Sequence, residues 1–147
     1  MPTYGFADVQ ASITGPGGSF DLGYGSGASE EGVTIAFNED KNKMDIGADG
    51  TPQHSLHAGN GGTITFHLLK VSTHNQLMSS LYSIQTTSTA MHGKNVITLK
   101  NPVTGDAFTG VLAAFKKFPD NAYSKDANVM NWAFDVGIMS GSLGAGN

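Results

Sequence analysis

The final third of the chain carries an alternation that constrains the fold more than any other feature. In "VMNWAFDVGIM", residues 129–139, Met130, Trp132, Phe134, Val136 and Ile138 occupy every second position, with Asn131, Ala133, Asp135 and Gly137 between them. Successive side chains of an extended strand point to opposite faces, so this segment predicts a strand with one packed face and one face toward solvent or a neighbour. Shorter apolar runs bounded by Gly, Asn, Asp or Pro predict further strands at "VTIAFN" (33–38), "TITFHLL" (63–69) and "VITLK" (96–100). "NPVTGD", 101–106, places Pro and Gly as a tight turn requires and joins 96–100 to "AFTGVLAAFKKF" as a hairpin. One segment, "STHNQLMSSLYSIQ", has helical spacing: Leu77, Leu81 and Ile84 recur at i, i+4 and i+7, and Met78 and Tyr82 widen the stripe. Thr73 with Gln76 three residues on makes a capping-box pattern, which predicts the helix start. The expected fold class is mainly β, an antiparallel β-sandwich or barrel with one flanking α-helix, in a single domain covering 1–147. Its core should bury Trp132 and Phe134 between sheet and helix, facing Leu77 and Leu81.

Composition removes several functions. With no cysteine among 147 residues, thiolate zinc, iron–sulfur clusters and disulfides are excluded, and any metal must sit on histidine and carboxylate. The N-terminus lacks a basic run followed by an apolar block, and no stretch approaches the roughly 18 apolar residues of a membrane span, so a protein that stays in solution is expected. All eight basic residues are lysine and the formal net charge is −4. Specific reading of nucleic acid leans on guanidinium forks and a basic face. An acidic chain repels phosphates, so any meeting with DNA should be passage without binding.

Motif by motif, catalysis finds no support. Gly23-x-Gly25-x-x-Ala28 fits a relaxed dinucleotide fingerprint, but β-like sequence follows where a helix should open. There is no P-loop, and "GIMSG" lacks the spacing of a nucleophile elbow. His54 and His57 share a face only on a helix, whereas Pro52 before them and "GNGG" after them predict an irregular or extended segment whose rings diverge. A zinc site needs three or four converging ligands. His67 belongs to the polar face of its strand; His74 and His92 have no evident catalytic partner. No enzyme activity, metal or cofactor is therefore expected. Alternating strand positions make core packing the reading for Trp132, Phe108, Phe115, Phe118 and Phe134, in preference to a stacking platform.

Two regions look built for something besides the core. Residues 15–32 hold seven of the 20 glycines, which suits a mobile or tightly turning connection. Residues 32–47 read as a long hairpin with a charged tip, Glu39, Asp40, Lys41, Asn42 and Lys43, and six of the 12 acidic residues (Glu30, Glu31, Glu39, Asp40, Asp45, Asp49) lie in or beside it. Such a tip is either a blunted edge that resists aggregation or a contact with another subunit.

The second half, "VITLKNPVTGDAFTGVLAAFKKFPDNAYSKDANVMNWAFDVGIM", resembles the tail tube proteins of bacteriophages with contractile tails and a family of phage structural proteins close to them. From "YGFADVQASI" onward the N-terminal part shows a similar order of elements. The resemblance implies a structural subunit of the virion tail: hexameric rings stacked into a tube, a conduit for DNA ejection, assembled in the host cytoplasm. Implied partners are further copies of the chain, the tail sheath, the baseplate and the tail terminator, with genomic DNA passing through the lumen unbound. Type VI secretion and tailocin tube subunits share the architecture, and a carbohydrate-binding or adhesion β-sandwich is an alternative of another class. Under the tube reading, the 32–47 hairpin and the 49–62 loop serve assembly, with Glu39, Asp40, Lys41, Asn42, Lys43, His54 and His57 as contact residues and Lys41 and Lys43 pairing with acidic groups of an adjacent subunit.

Overall fold

The computed structural model describes residues 3–23 and 28–145. Within them the chain runs β1 (Gln10–Gly15), β2 (Gly18–Asp21), β3 (Ala28–Phe37), β4 (Asn42–Ile46), β5 (Pro52–Leu56), β6 (Gly62–Leu69), helix α1 (His74–Gln85), β7 (Asn95–Asn101), β8 (Asp106–Phe115) and β9 (Val129–Ser142). Seven strands form one antiparallel sheet in the order β2-β1-β7-β8-β9-β6-β3, and β4 and β5 pair separately. The mainly β, one-helix architecture expected from the sequence is the one found.

The alternation in β9 does what its spacing requires. Met130, Trp132, Phe134 and Val136 are all buried, with Trp132 and Phe134 at 0% exposure. Phe134 packs on Phe115 at 4.4 Å between ring centroids and edge-on against Phe66 at 5.9 Å. The Trp132 indole N–H donates to Asn75 Oδ1 of α1 at 3.0 Å, so the largest core side chain also ties helix to sheet. Val33 and Ile35 of β3 pack on the same cluster as Leu99 of β7, although three strands separate β3 from β7 in the sheet. The sheet is therefore strongly curled, and α1 covers its concave side with Met78 and Leu81.

Ile138 departs from the expected face and is 49% exposed, while Met139 turns inward instead. The cause is a bulge in β8: the pairing with β7 shifts between Asn95 and Ile97, and Leu112 takes a left-handed φ of 55°. Gly137 lies against it, where a Cβ would stand 3.1 Å from that of Leu112. Both strands change phase together at this bend.

The helix sits rotated from its expected orientation. Met78, Leu81 and Gln85 are its buried residues, whereas Leu77 and Ile84 face outward at 44% and 40% exposure. Gln85 explains the rotation: its amide exchanges two hydrogen bonds of 2.7 Å with the buried Asn95 amide and donates to Pro16 O at 3.1 Å. Thr73 is itself helical and makes no capping bond, so the capping box does not form; Ser72 Oγ accepts the His74 N–H at 3.2 Å.

The expected 32–47 hairpin is replaced by other pairings. β3 joins β6, from Val33↔Phe66 to Phe37↔Gly62, and β4 joins β5. Pairing with β6 brings Val33 and Ile35 onto the core, which a free β3–β4 ribbon would leave in water. In the glycine-rich stretch, residues 15–18 make the tight turn between β1 and β2, with Gly17 at φ 103°. Residues 24–27, including Gly25 of the fingerprint, and the side chains of Glu30 and Glu31 lie outside the described residues.

Candidate functional site

Between β3 and β6 the chain leaves the sheet as an arm, residues 38–61, built on the β4–β5 ribbon. Every residue from Ala36 to His54 is exposed. The ribbon pairs Asn42↔Leu56, Met44↔His54 and Ile46↔Pro52 on one face, and Lys43↔Ser55 and Asp45↔Gln53 on the other. One face is thus largely apolar and the opposite one polar. Met44, Ile46 and Leu56 are 51%, 64% and 86% exposed.

The free end is a tight turn. Gly47 N–H donates to Thr51 O and Gly50 N–H to Gly47 O, each at 2.9 Å, with Gly50 at a φ of 87° that a side chain would strain. Asp49 Oδ1 accepts the Thr51 N–H at 3.0 Å, and this bond holds the exposed Asp49 carboxyl below its ordinary pKa.

Lys41 organises the base. Its ammonium donates to Gly59 O at 2.8 Å, to His57 O at 3.4 Å and to Asn60 Oδ1. Asn60 O accepts the Met139 N–H at 2.9 Å and Gly61 O the Asn38 N–H at 3.0 Å, anchoring the arm to the main sheet. His57 donates its backbone N–H to Lys41 O at 2.9 Å and Nδ1–H to Asp40 O at 3.0 Å. His54 Nδ1 accepts from Asn42 Nδ2 at 3.2 Å.

The seven residues singled out from the sequence accordingly fall on one arm, in different roles. Glu39, Asp40 and Lys41 form the ascending base, not a tip; Asn42 and His54 share the apolar face; Lys43 lies on the polar face; His57 returns to the base. Lys41 directs its ammonium at three oxygens of its own subunit. Among the described residues no cluster of three or more His, Asp or Glu side chains is placed to hold a metal ion. Met44, Ile46, Pro52 and Leu56 escaped the sequence reading, although "NKMDI" alternates with the period of a strand.

Comparison with known proteins decides the family. A family model described as "Bacteriophage PhiTE tail tube protein" matches residues 1–144. The chain belongs to the PhiTE phage tail tube family. Membership gives this tube-family chain a structural role in a phage tail tube, and the family is structural rather than enzymatic. Two of the solved structures that share its fold show the likeness. One is from the sheath–tube complex of the extracellular contractile injection system PVC in its extended state, at 14% identity and a TM-score of 0.53, covering 91% of this chain and 88% of that one. The other is the cap that terminates the tube of the anti-feeding prophage, at 13% identity and 0.54, covering 96% and 93%. No curated protein matches. No helix among the described residues is long and apolar enough to cross a membrane.

Proposed function

We propose that the chain is the repeating subunit of hexameric rings that stack into the tail tube, and that the tube conducts DNA out of the virion. The observation that carries this reading is the arm: a ribbon with a formed turn, a clamped base and an exposed apolar face. A two-stranded ribbon is marginal in water by itself, so an arm of this kind gains its main stabilisation from another subunit. Contacts repeated around a ring and between rings then reinforce one another. Six copies of a −4 chain carry −24 per ring, which suits a wall that DNA passes without adhering.

The PVC neighbour comes from a complex with a sheath, and the anti-feeding prophage neighbour is a terminating cap. By analogy, sheath, terminator and baseplate are this subunit's partners, with assembly in the host cytoplasm. The two fold likenesses are nearly equal; the family match favours tube over cap. The test replaces residues 43–55 by a short Gly-Ser turn. The shortened subunit is expected to fold and melt as the full chain does but to form no rings or tubes. Normal tubes from it would overturn the role given to the arm.

A further inference from the structure

Beside β3 lies a second uncovered apolar feature. Tyr4, Phe6, Val33, Ile35, Leu99 and Phe108 line a cleft of about 280 Å³ between β3 and the β7–β8 pair, and none of its lining residues comes from the arm. Apart from the Tyr4 hydroxyl, its two polar side chains, Asn101 and Asp106, each commit one oxygen to their own chain. Asn101 Oδ1 accepts the N–H groups of Val103 and Thr104 at 3.2 and 3.4 Å, and Asp106 Oδ1 accepts the Gly144 N–H at 2.9 Å. Most of the lining side chains are apolar, so the cleft offers an occupant mainly apolar contact.

Size narrows the occupant. Small-molecule sites usually run from roughly 300 to 1,000 Å³, while a cavity of about 150 Å³ already holds a benzene ring. The cleft thus suits one or two aliphatic side chains. The chain displays such groups in a row on the arm, and Ile46, 64% exposed and next to the turn, is the one nearest the free end.

We propose that the cleft receives the arm of a second copy of this chain, with Ile46 inserted and Met44 and Leu56 packed along the rim. Knob and cleft are different surfaces carried by every copy, so the contact is heterologous. Such contacts propagate, closing into rings or continuing as helical stacks. The proposal rests on the tube reading above and gives it a seat for the arm.

The absence of cysteine makes the test direct, because any disulfide must come from introduced residues. Subunits carrying Ile46→Cys are co-assembled with subunits carrying Tyr4→Cys or Val33→Cys, oxidised and run on non-reducing gels; Val71→Cys, exposed elsewhere on the chain, is the control. Cross-linked dimers are expected with the Tyr4→Cys and Val33→Cys partners and none with the Val71→Cys control. Ile46→Asp should raise the concentration needed for assembly about ten- to a hundredfold with the melting temperature unchanged. Assembly without these cross-links, or with cross-links to the Val71→Cys control instead, overturns the cleft as the seat and leaves the tube function standing. An intrachain disulfide in dilute Ile46→Cys/Tyr4→Cys monomer overturns it in favour of the subunit's own arm. Failure of the unmodified chain to assemble would remove both the tube reading and this contact.

Discussion

Replacing Lys41 by Met should loosen the arm without unfolding the domain. The ammonium makes three hydrogen bonds, to Gly59 O, His57 O and Asn60 Oδ1, and these join the ascending and returning sides of the arm's base. Hydrogen bonds to a charged group contribute roughly 1.5–3 kcal/mol when shielded. Here Lys41, His57 and Asn60 are exposed, and solvent screening reduces the sum to about 1–2 kcal/mol. Lys41 is exposed and lies outside the core cluster, so the loss falls on local opening and leaves global stability in place. Hydrogen exchange of the His57 and Asn38 amides, both bonded across the base, should accelerate about 5- to 30-fold, while amides of β9 keep their protection. Assembly should weaken in proportion to the fraction of arms no longer closed. Lys43→Met, on the ribbon's polar face, serves as the comparison and should leave both amides slow. Unchanged exchange in Lys41→Met, or equal acceleration in both variants, would refute the clamp.

Three further outcomes follow from the packing. Phe134→Ala, emptying a fully buried ring site, should cost about 3–5 kcal/mol and lower the melting temperature by roughly 6–20 °C in calorimetry of the monomer. Gln85→Met should cost about 2–4 kcal/mol by stranding the buried Asn95 amide, whereas Gln85→Met with Asn95→Leu should cost less than the single change; a double variant as poor as the sum of the two singles would contradict the pairing of the amides. Asp49 should titrate below its ordinary value by NMR, because the Thr51 amide favours the carboxylate. A depressed folded pKa means that its support of the arm turn is present above the unfolded value and lost as the pH falls through the folded one, so the turn resonances should broaden only in acid.

Much of the core was readable because β9 repeats its pattern over many residues and places its aromatics on one face. The turn at 101–106 was readable from Pro and Gly alone. β1 and β2 were not: β1 turns only Ala11 and Ile13 into the core, and β2 is four residues of edge strand. Strand pairing was harder still. "VTIAF" announces a strand but not its partner, and the choice of β6 over β4 is made by a core that exists only once the sheet has curled. Gln85 shows the same limit in the helix, since a hydrophobic stripe cannot register a polar residue buried by a distant amide. On the arm, the charges at 39–41 fall at the base and Lys43 on the polar face of the ribbon. Lys41 binds mainly backbone carbonyls, which leave no mark in a sequence, whereas the alternation of Met44 and Ile46 is the sequence signal of the β4–β5 ribbon.

Cryo-electron microscopy of the concentrated, unmodified chain is the decisive experiment for the tube and for its arms together. Hollow tubes of stacked six-membered rings are expected, in which each 38–61 arm crosses to a neighbouring subunit with its apolar face covered. A chain that stays monomeric at every concentration, or tubes whose arms remain in solvent, would show that the arm is not what builds the tube.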